Sequence, residues 1–545
     1  MQYNLMYKAS CSGGDAALTH TSEYSVNVSP RRTFYALLFT MFLSGCGALP
    51  PMPERPSSHA LELTQAADTT LGQAIAPLLL EYPGKSGIYP LPDPLEAFAA
   101  RMLLARTAER SLDVQYYIWR GDQTGTLLLE GLVAAAERGV RVRLLLDDGG
   151  TSGLDEILAA LTLHPQIEVR LFNPFVVRKP KPLGYITDFD RTNRRMHNKS
   201  FTADNQVSIL GGRNIGDEYF GATDGVLFSD LDVMAVGAVV PDLSNDFDRY
   251  WSSQSAYPAQ TILPAVDREK LDALTVEANL IAHSDAAQAY VQAVRETPFI
   301  EQLLQQQLPL EWANTTLVSD DPLKGLGKAE SGGLLVKQVY DVVGSPQHSV
   351  VLVSPYFVPT KTGVQAFADL RQKGVRIRVM TNAYEATDVP LVHAGYAKYR
   401  KALLEQGVEL YEMQKLAPSR KAGRFNPLQL GSSGSSLHAK TFAIDSTRAF
   451  VGSFNFDPRS ALLNTELGVI IESSRLALQI EQAFDIDIPG GSYRVLLSEN
   501  GDLHWQTGQE DGDHPPMIYE SEPGSNWFSR WFMRVLGVLP IEWLL

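Results

Sequence analysis

RRMHNKSFTADNQVSILGGRN, residues 194–214, decides how this chain is read, because residues 435–455, SSLHAKTFAIDSTRAFVGSFN, repeat it. His197, Lys199 and Asp204 of the first stretch return as His438, Lys440 and Asp445, an offset of 241 residues from His197 to His438. The match runs on: ILGGRN and FVGSFN each place an apolar pair, a glycine, two variable residues and an asparagine at the same distance, ending at Asn214 and Asn455. One H-x-K-x4-D pattern in a long chain carries little weight. Two copies that share a tail do not arise by independent accident.

The duplication extends beyond the motif. LDVQYYIW (112–119) reads as a strand, residues 124–138 as an amphipathic helix and VRVRLLLDD (140–148) as a second strand, with a third near EVRLFNP. HSVVLVSPYFVP, residues 361–373, GVRIRVMTN, residues 393–406 and VELYEM repeat that alternation. AAERGVRVRLLL and LRQKGVRIRVMT align at Arg138 and Lys373, close to the motif offset. The expected architecture is α/β, with halves at 85–253 and 330–485 related by a pseudo-twofold axis and the active site between them. Residues 254–329, rich in Ala, Gln, Leu and Glu, are expected to form a helical connector. Residues 486–545 follow as an extension. Its end interleaves Trp527, Trp531 and Trp543 with Arg530 and Arg534, a pattern that suits a membrane interface and equally a helix packed on the body.

At 545 residues, with 44% apolar and 20% charged side chains, the chain is globular and long enough for two cores. A net charge of −15 and a pI near 5.2 argue against a nucleic-acid binder held by a broad basic face. Cys11 and Cys46 are the only cysteines, which removes thiol chemistry from the body. Arg31 and Arg32, an apolar run over 34–43 and LSGC ending at Cys46 predict a secretion segment over 1–46 that resembles a bacterial lipobox with Cys46 lipidated. A short uncleaved anchor is the alternative. Residues 1–30 are polar and patternless, as a start assigned too far upstream would leave them. Residues 47–84, which open with a Pro-rich run, are expected to form a solvated tether.

Breaking a phosphodiester requires a nucleophile, a proton for the leaving alkoxide and donors for the phosphoryl oxygens. Two histidines and two lysines supply all three, one imidazole attacking while neutral and the other giving its proton. His197 and Lys199, like His438 and Lys440, are two apart and share a strand face. Asn214 and Asn455 follow a glycine turn, from which their amides are expected to meet the phosphate. Asp204 and Asp445 have the opposite parity and are expected to anchor the following loop through backbone bonds. A His-x-Lys pair is a poor metal ligand set, because the ammonium repels a cation. His393 has no counterpart in the first half and takes no role.

Paired H-x-K-x4-D motifs, each followed by G-x-x-N, resemble the phospholipase D superfamily over about residues 91–473. QYYIW, GVRVRLLLDD, FNPF, SPYFVP and GSFNFDPRSALLNTELGVII are similar to bacterial cardiolipin synthases, most of all the C type. The resemblance implies two phospholipase D-like α/β/α halves, with His197, Lys199, Asp204, His438, Lys440 and Asp445 as the catalytic motif residues. His197 is expected to form a phosphatidyl-histidine and His438 to act as acid, then base. The resemblance also implies an acidic residue that orients each histidine, for which Asp232 and Glu466 are the candidates. It implies no metal or other cofactor. The expected partners are phospholipids, with phosphatidylglycerol as acceptor and the second donor open, together with a membrane. No nucleic acid is expected, and a protein partner is left open.

The function implied is a phosphatidyltransferase making cardiolipin by transesterification, in the bacterial envelope with the body on the periplasmic side. A phospholipase D in which water resolves the same intermediate is the first alternative, and a secreted nuclease the second. A non-enzymatic lipid-binding scaffold would tolerate erosion of one motif, and both are intact.

Overall fold

The computed structural model describes residues 49–545 apart from 56, 224–226, 296–301, 303–306, 416–435, 509–515 and 540–541. The secretion segment and Cys46 lie outside the described residues. The body is built on β1 (Ser86–Leu91), β2 (Ser111–Ile118), β3 (Arg141–Gly150), β4 (Ile167–Phe172), β5 (Ser200–Ala203), β6 (Val207–Gly211), β7 (Phe228–Ser229), β8 (Asp232–Gly237), β9 (Ala256–Pro258) and β10 (Glu311–Ala313). All but β7 join one sheet, in the order β10-β1-β8-β6-β5-β2-β3-β4-β9. The chain continues through β11 (Thr315–Ser319), β12 (Ser349–Val353), β13 (Arg376–Asn382), β14 (Glu409–Met413), β15 (Ser436–Leu437), β16 (Thr441–Ile444), β17 (Arg448–Gly452), β18 (Leu467–Ile471), β19 (Ser492–Leu497), β20 (Leu503–Thr507) and β21 (Ile518–Tyr519). All but β15 join the second sheet, ordered β11-β18-β17-β16-β12-β13-β14-β19-β20-β21.

The run β1-β8-β6-β5-β2-β3-β4-β9 maps strand for strand onto β11-β18-β17-β16-β12-β13-β14-β19. Within it β2, β3 and β4 are parallel, as are β12, β13 and β14, and the remaining pairings are antiparallel in both sheets. The parallel strands read as apolar runs because helices cover them. One such helix, Gln123–Glu137, starts where the Asp122 side chain accepts from Gly125 N–H and stops before Gly139, at φ +93°. One apolar cluster draws on both halves, with Ile88, Leu210 and Val233 from the first against Val351, Val451 and Val469 from the second. The halves therefore share a core.

Three expectations need correction. The connector is helical over Glu269–Ala282 and Asp285–Arg295, but it also holds β9, β10 and β11, and β11 opens the second repeat. The five residues TTLVS are β-branched enough to pair with β18, yet too short to stand out beside the Ala- and Gln-rich helices. The extension from residue 486 supplies β19 to β21, which lengthen the second sheet. The tether carries the helix Thr70–Glu81, whose N-cap Thr69 accepts from Gly72 N–H.

The helix Trp527–Val538 inverts the usual amphipathic arrangement. Met533 is its buried residue, whereas Trp527, Phe528, Trp531, Phe532 and Val535 are exposed. The helix packs on the body by one face and offers an aromatic stripe outward. Among the described residues no helix is long and apolar enough to cross a membrane.

Candidate active site

Each histidine lies just beyond a point where its half meets the other. Met196 bridges Thr465 in parallel, with His197 N–H donating to Thr465 O at 2.9 Å. β15 pairs in parallel with β7, and His438 N–H donates to Ser229 O at 2.7 Å. The residue after each contact is a carboxylate from the opposite half. His197 Nδ1 meets Glu466 Oε2 at 2.8 Å, and His438 Nδ1 meets Asp230 Oδ2 at 2.6 Å. The ring atom left to face a ligand is Nε2 in both cases, and both rings line one cleft of about 870 Å³.

Asp230, not Asp232, is thus the carboxylate on His438. Ladder register explains the difference: Gly211 stands opposite Asp232 in β8 and Gly452 opposite Gly468 in β18, so Asp230 and Glu466 both sit two residues ahead of equivalent positions. Asp232 instead binds Arg101 Nη2 at 2.7 Å and accepts from Arg213 N–H at 3.1 Å. Gly212 makes room for the true partner, since a Cβ there would lie 2.0 Å from Asp230 Oδ1. The residue equivalent to Gly212 is Ser453, whose Oγ donates to Glu466 Oε2 at 2.5 Å.

The lysines are buried beside their histidines. Lys199 Nζ donates to His197 O at 2.5 Å, and Lys440 Nζ donates to His438 O. Tyr117 and Tyr356 present equivalent rings 5.7 and 6.0 Å from Lys199 and Lys440. Neither ammonium has a carboxylate within ion-pair distance among the described residues. Burial, reinforced by the other lysine's charge, pulls Lys199 down to about 7, and burial pulls Lys440 down to about 8. An anion entering the cleft would favour the charged form of both.

The two imidazoles are not equivalent. Burial, with Lys199 and Lys440 adding to it, holds His197 well below its ordinary value, and burial raises its partner Glu466 to about 7. Burial and Lys440 also lower His438, but Asp230 opposes them. Burial alone would raise Asp230, yet His438, Lys440 and Arg213 outweigh it and keep that carboxyl ionised, at about 2. His438 is therefore the better placed of the two to hold a proton.

The remaining expected site residues separate. Asp204 accepts from Arg110 N–H at 2.8 Å and Ser111 N–H at 2.9 Å, and Asp445 accepts from His348 N–H at 2.7 Å and Ser349 N–H at 3.0 Å. They occupy left-handed turns, at φ +52°, and pin the entries to β2 and β12 rather than the following loop. Neither lines the cleft. Asn214 lines it, but its Oδ1 accepts from Ile118 N–H at 3.1 Å and its Nδ2 donates to Tyr219 Oη at 2.9 Å. Asn455 also lines it, and its buried Oδ1 has no hydrogen-bond partner among the described residues. Of the two amides, that of Asn455 is the more available to a ligand.

Arg459, which sequence reading passed over, clasps three parts of the molecule. It donates to Asn193 Oδ1 at 3.0 Å and Asn193 O at 2.8 Å in the first half, and to Leu544 O at 3.2 Å. Leu544 and Leu545 then form an apolar wall of the cleft with Leu391 and Val392. His393 lies behind that wall, bonded through Nε2 to Glu522 Oε1 at 2.7 Å.

Comparison with known proteins identifies the family and the fold. The family model described as "Cardiolipin synthase, PLD-like domain" matches residues 103–251 and again 339–488. Cardiolipin synthase C of Escherichia coli K12 is 49% identical over 476 residues, covering 87% of this chain and 99% of that protein. An uncharacterized protein of Helicobacter pylori 26695 is 32% identical over 522 residues, covering 93% of this chain and 99% of its own length. Among solved structures, phosphatidylserine synthase of Haemophilus influenzae shares the fold at a TM-score of 0.50 and 14% identity, covering 78% of this chain and 92% of that one.

Proposed function

Since the chain belongs to the phospholipase D-like cardiolipin synthase family, we propose that it makes cardiolipin by exchanging one phosphodiester for another between two phospholipids. The observation that carries this reading is the cleft itself, with two histidines, each on a carboxylate from the opposite half, and two buried lysines with no carboxylate in ion-pair distance among the described residues. Such a site suits the phosphoryl oxygens of a phosphodiester. His197 Nε2 attacks phosphorus, the bond to the headgroup oxygen breaks, and His438 gives that oxygen its proton. Lys199, Lys440 and Asn455 stabilise the phosphoryl oxygens. The acceptor, for which phosphatidylglycerol is the natural choice, then loses a hydroxyl proton to His438 and displaces His197 from phosphorus. The wall of Leu391, Val392, Leu544 and Leu545 favours a lipid alcohol over water in this second step.

Expression in a bacterial strain lacking cardiolipin synthases tests the reading. Lipid extracts are expected to contain cardiolipin, and to lose it with His197→Ala or with His438→Ala. Phosphatidic acid in place of cardiolipin would establish hydrolysis instead.

The body works at a membrane surface, tethered through lipid on Cys46 on the periplasmic side and docked by the aromatic stripe of Trp527–Val538. The outward Trp and Phe rings and the adjacent Arg530 and Arg534 support this placement. Cys46→Ala is expected to abolish labelling by palmitate, and, in a chain already carrying Cys46→Ala, Phe528→Ser with Trp531→Ser is expected to release the body from vesicles. Undiminished labelling and vesicle binding would refute the anchor and the stripe respectively.

A further inference from the structure

A second cavity, about 1080 Å³, lies on the other side of the helix Pro390–Ala397. Leu391 and Val392 of that helix face the catalytic cleft, whereas Ala394 and Ala397 face this groove, and the two cavities have no lining residue in common. The hairpin between β19 and β20 closes one side and the helix Trp527–Val538 the other.

Its charge runs against that of the chain. Lys398, Arg400, Lys401, Arg530 and Arg534 line it, against Asp502, Glu520 and Glu522, although acidic residues outnumber basic ones 62 to 47 overall. Arg400 is committed to Glu412 and Glu522, at 2.7 and 2.5 Å, and Lys398 to Glu542 at 3.4 Å. Among the described residues the Arg530 side chain donates only to Ser525. Lys401 and Arg534 make no ion pair or side-chain hydrogen bond among the described residues. Leu503, Met533, Gly537 and Val538 give the groove an apolar flank, which continues outward into Trp531 and Val535.

We propose that this groove is a second phospholipid site, which holds the phosphate of an anionic lipid on Lys401, Arg530 and Arg534 while its acyl chains follow the apolar flank into the bilayer. Charge complementarity selects an anionic headgroup, and continuity with the aromatic stripe selects a lipid over a soluble anion. The site is separate from catalysis, so a lipid bound there is retained without reacting. It rests on the membrane-docking reading, but its occupancy is measured apart from both docking and turnover.

The test uses the full chain carrying His197→Ala, to prevent turnover, with dihexanoyl phosphatidylglycerol below its micelle concentration and native mass spectrometry as readout. Two lipids per chain are expected. Lys401→Gln with Arg534→Gln should remove one of them, weakening that event at least about tenfold, while the other persists and reports an intact fold. Lys440→Ala should weaken the other event alone. A single lipid per chain before any groove substitution, or two lipids undiminished after it, would overturn the proposal. Displacement of the groove lipid by inorganic phosphate alone would overturn the lipid assignment in favour of a free anion.

Discussion

With a phosphatidyl donor whose leaving group is 4-nitrophenol, His438→Ala is expected to release a burst of about one nitrophenolate per chain and then stall. Nitrophenolate departs without a proton, so loss of the acid leaves the first displacement intact. The second displacement needs His438 to take the acceptor's proton, and the phosphatidyl group should remain on His197, visible as a mass increase of the intact chain. His197→Ala should give no burst and no adduct. With ordinary headgroups, His197→Ala should lower turnover on the order of 10⁴-fold or more and His438→Ala about 10²- to 10⁴-fold. The division follows from the carboxylates: burial raises Glu466, beside His197, to about 7, whereas His438 leans on an ionised Asp230. A burst in His197→Ala together with none in His438→Ala would reverse the two roles.

Asp230 and Asp232 should fail in different ways when altered. Asp230→Asn keeps the shape of the side chain but removes the charge that orients and supports an imidazolium, and kcat is expected to fall about 10²- to 10⁴-fold with the urea midpoint little changed. Asp232→Ala should instead destabilise the fold. It leaves the guanidinium of Arg101 wholly buried without its counter-charge and strips Arg213 of a carboxylate 3.5 Å away. Breaking a buried ion pair from one side costs about 3–5 kcal/mol, which urea unfolding resolves. Equal stability of the two variants, with activity lost only in Asp232→Ala, would restore the assignment that the sequence suggested.

That contrast shows where sequence reading reached its limit. The duplicated unit was legible because RGVRVR and KGVRIR preserve the apolar and basic alternation of one buried strand, and because H-x-K-x4-D returns at the same spacing, although each H-x-K proves to lie just ahead of β5 or β16 and not within a strand. The carboxylates were legible in type only. Asp230 lies 33 residues after His197 but serves His438, so no within-half alignment points to it. Asp232, at the first position of β8, is the more conspicuous acid and its actual partner is Arg101, far away in the chain. β11 was hidden for a different reason: five residues carry too little periodicity to outweigh the helices before them. The outward stripe of Trp527–Val538 was visible as composition, but which face met the body depended on Met533, a choice that only packing makes.

The crossed carboxylates carry a consequence for how such a chain arose. A lone copy of the repeat holds a histidine without its acid and an acid without its histidine, so it would act only when two copies associate. In a pair of identical copies the empty site would be symmetric, and only a bound substrate would tell the two imidazoles apart. Joining the copies in one polypeptide frees them to diverge, and this chain has used that freedom: an aspartate faces one ring and a glutamate with a serine faces the other. Tandem fusion here lets the two rings differ before any substrate binds.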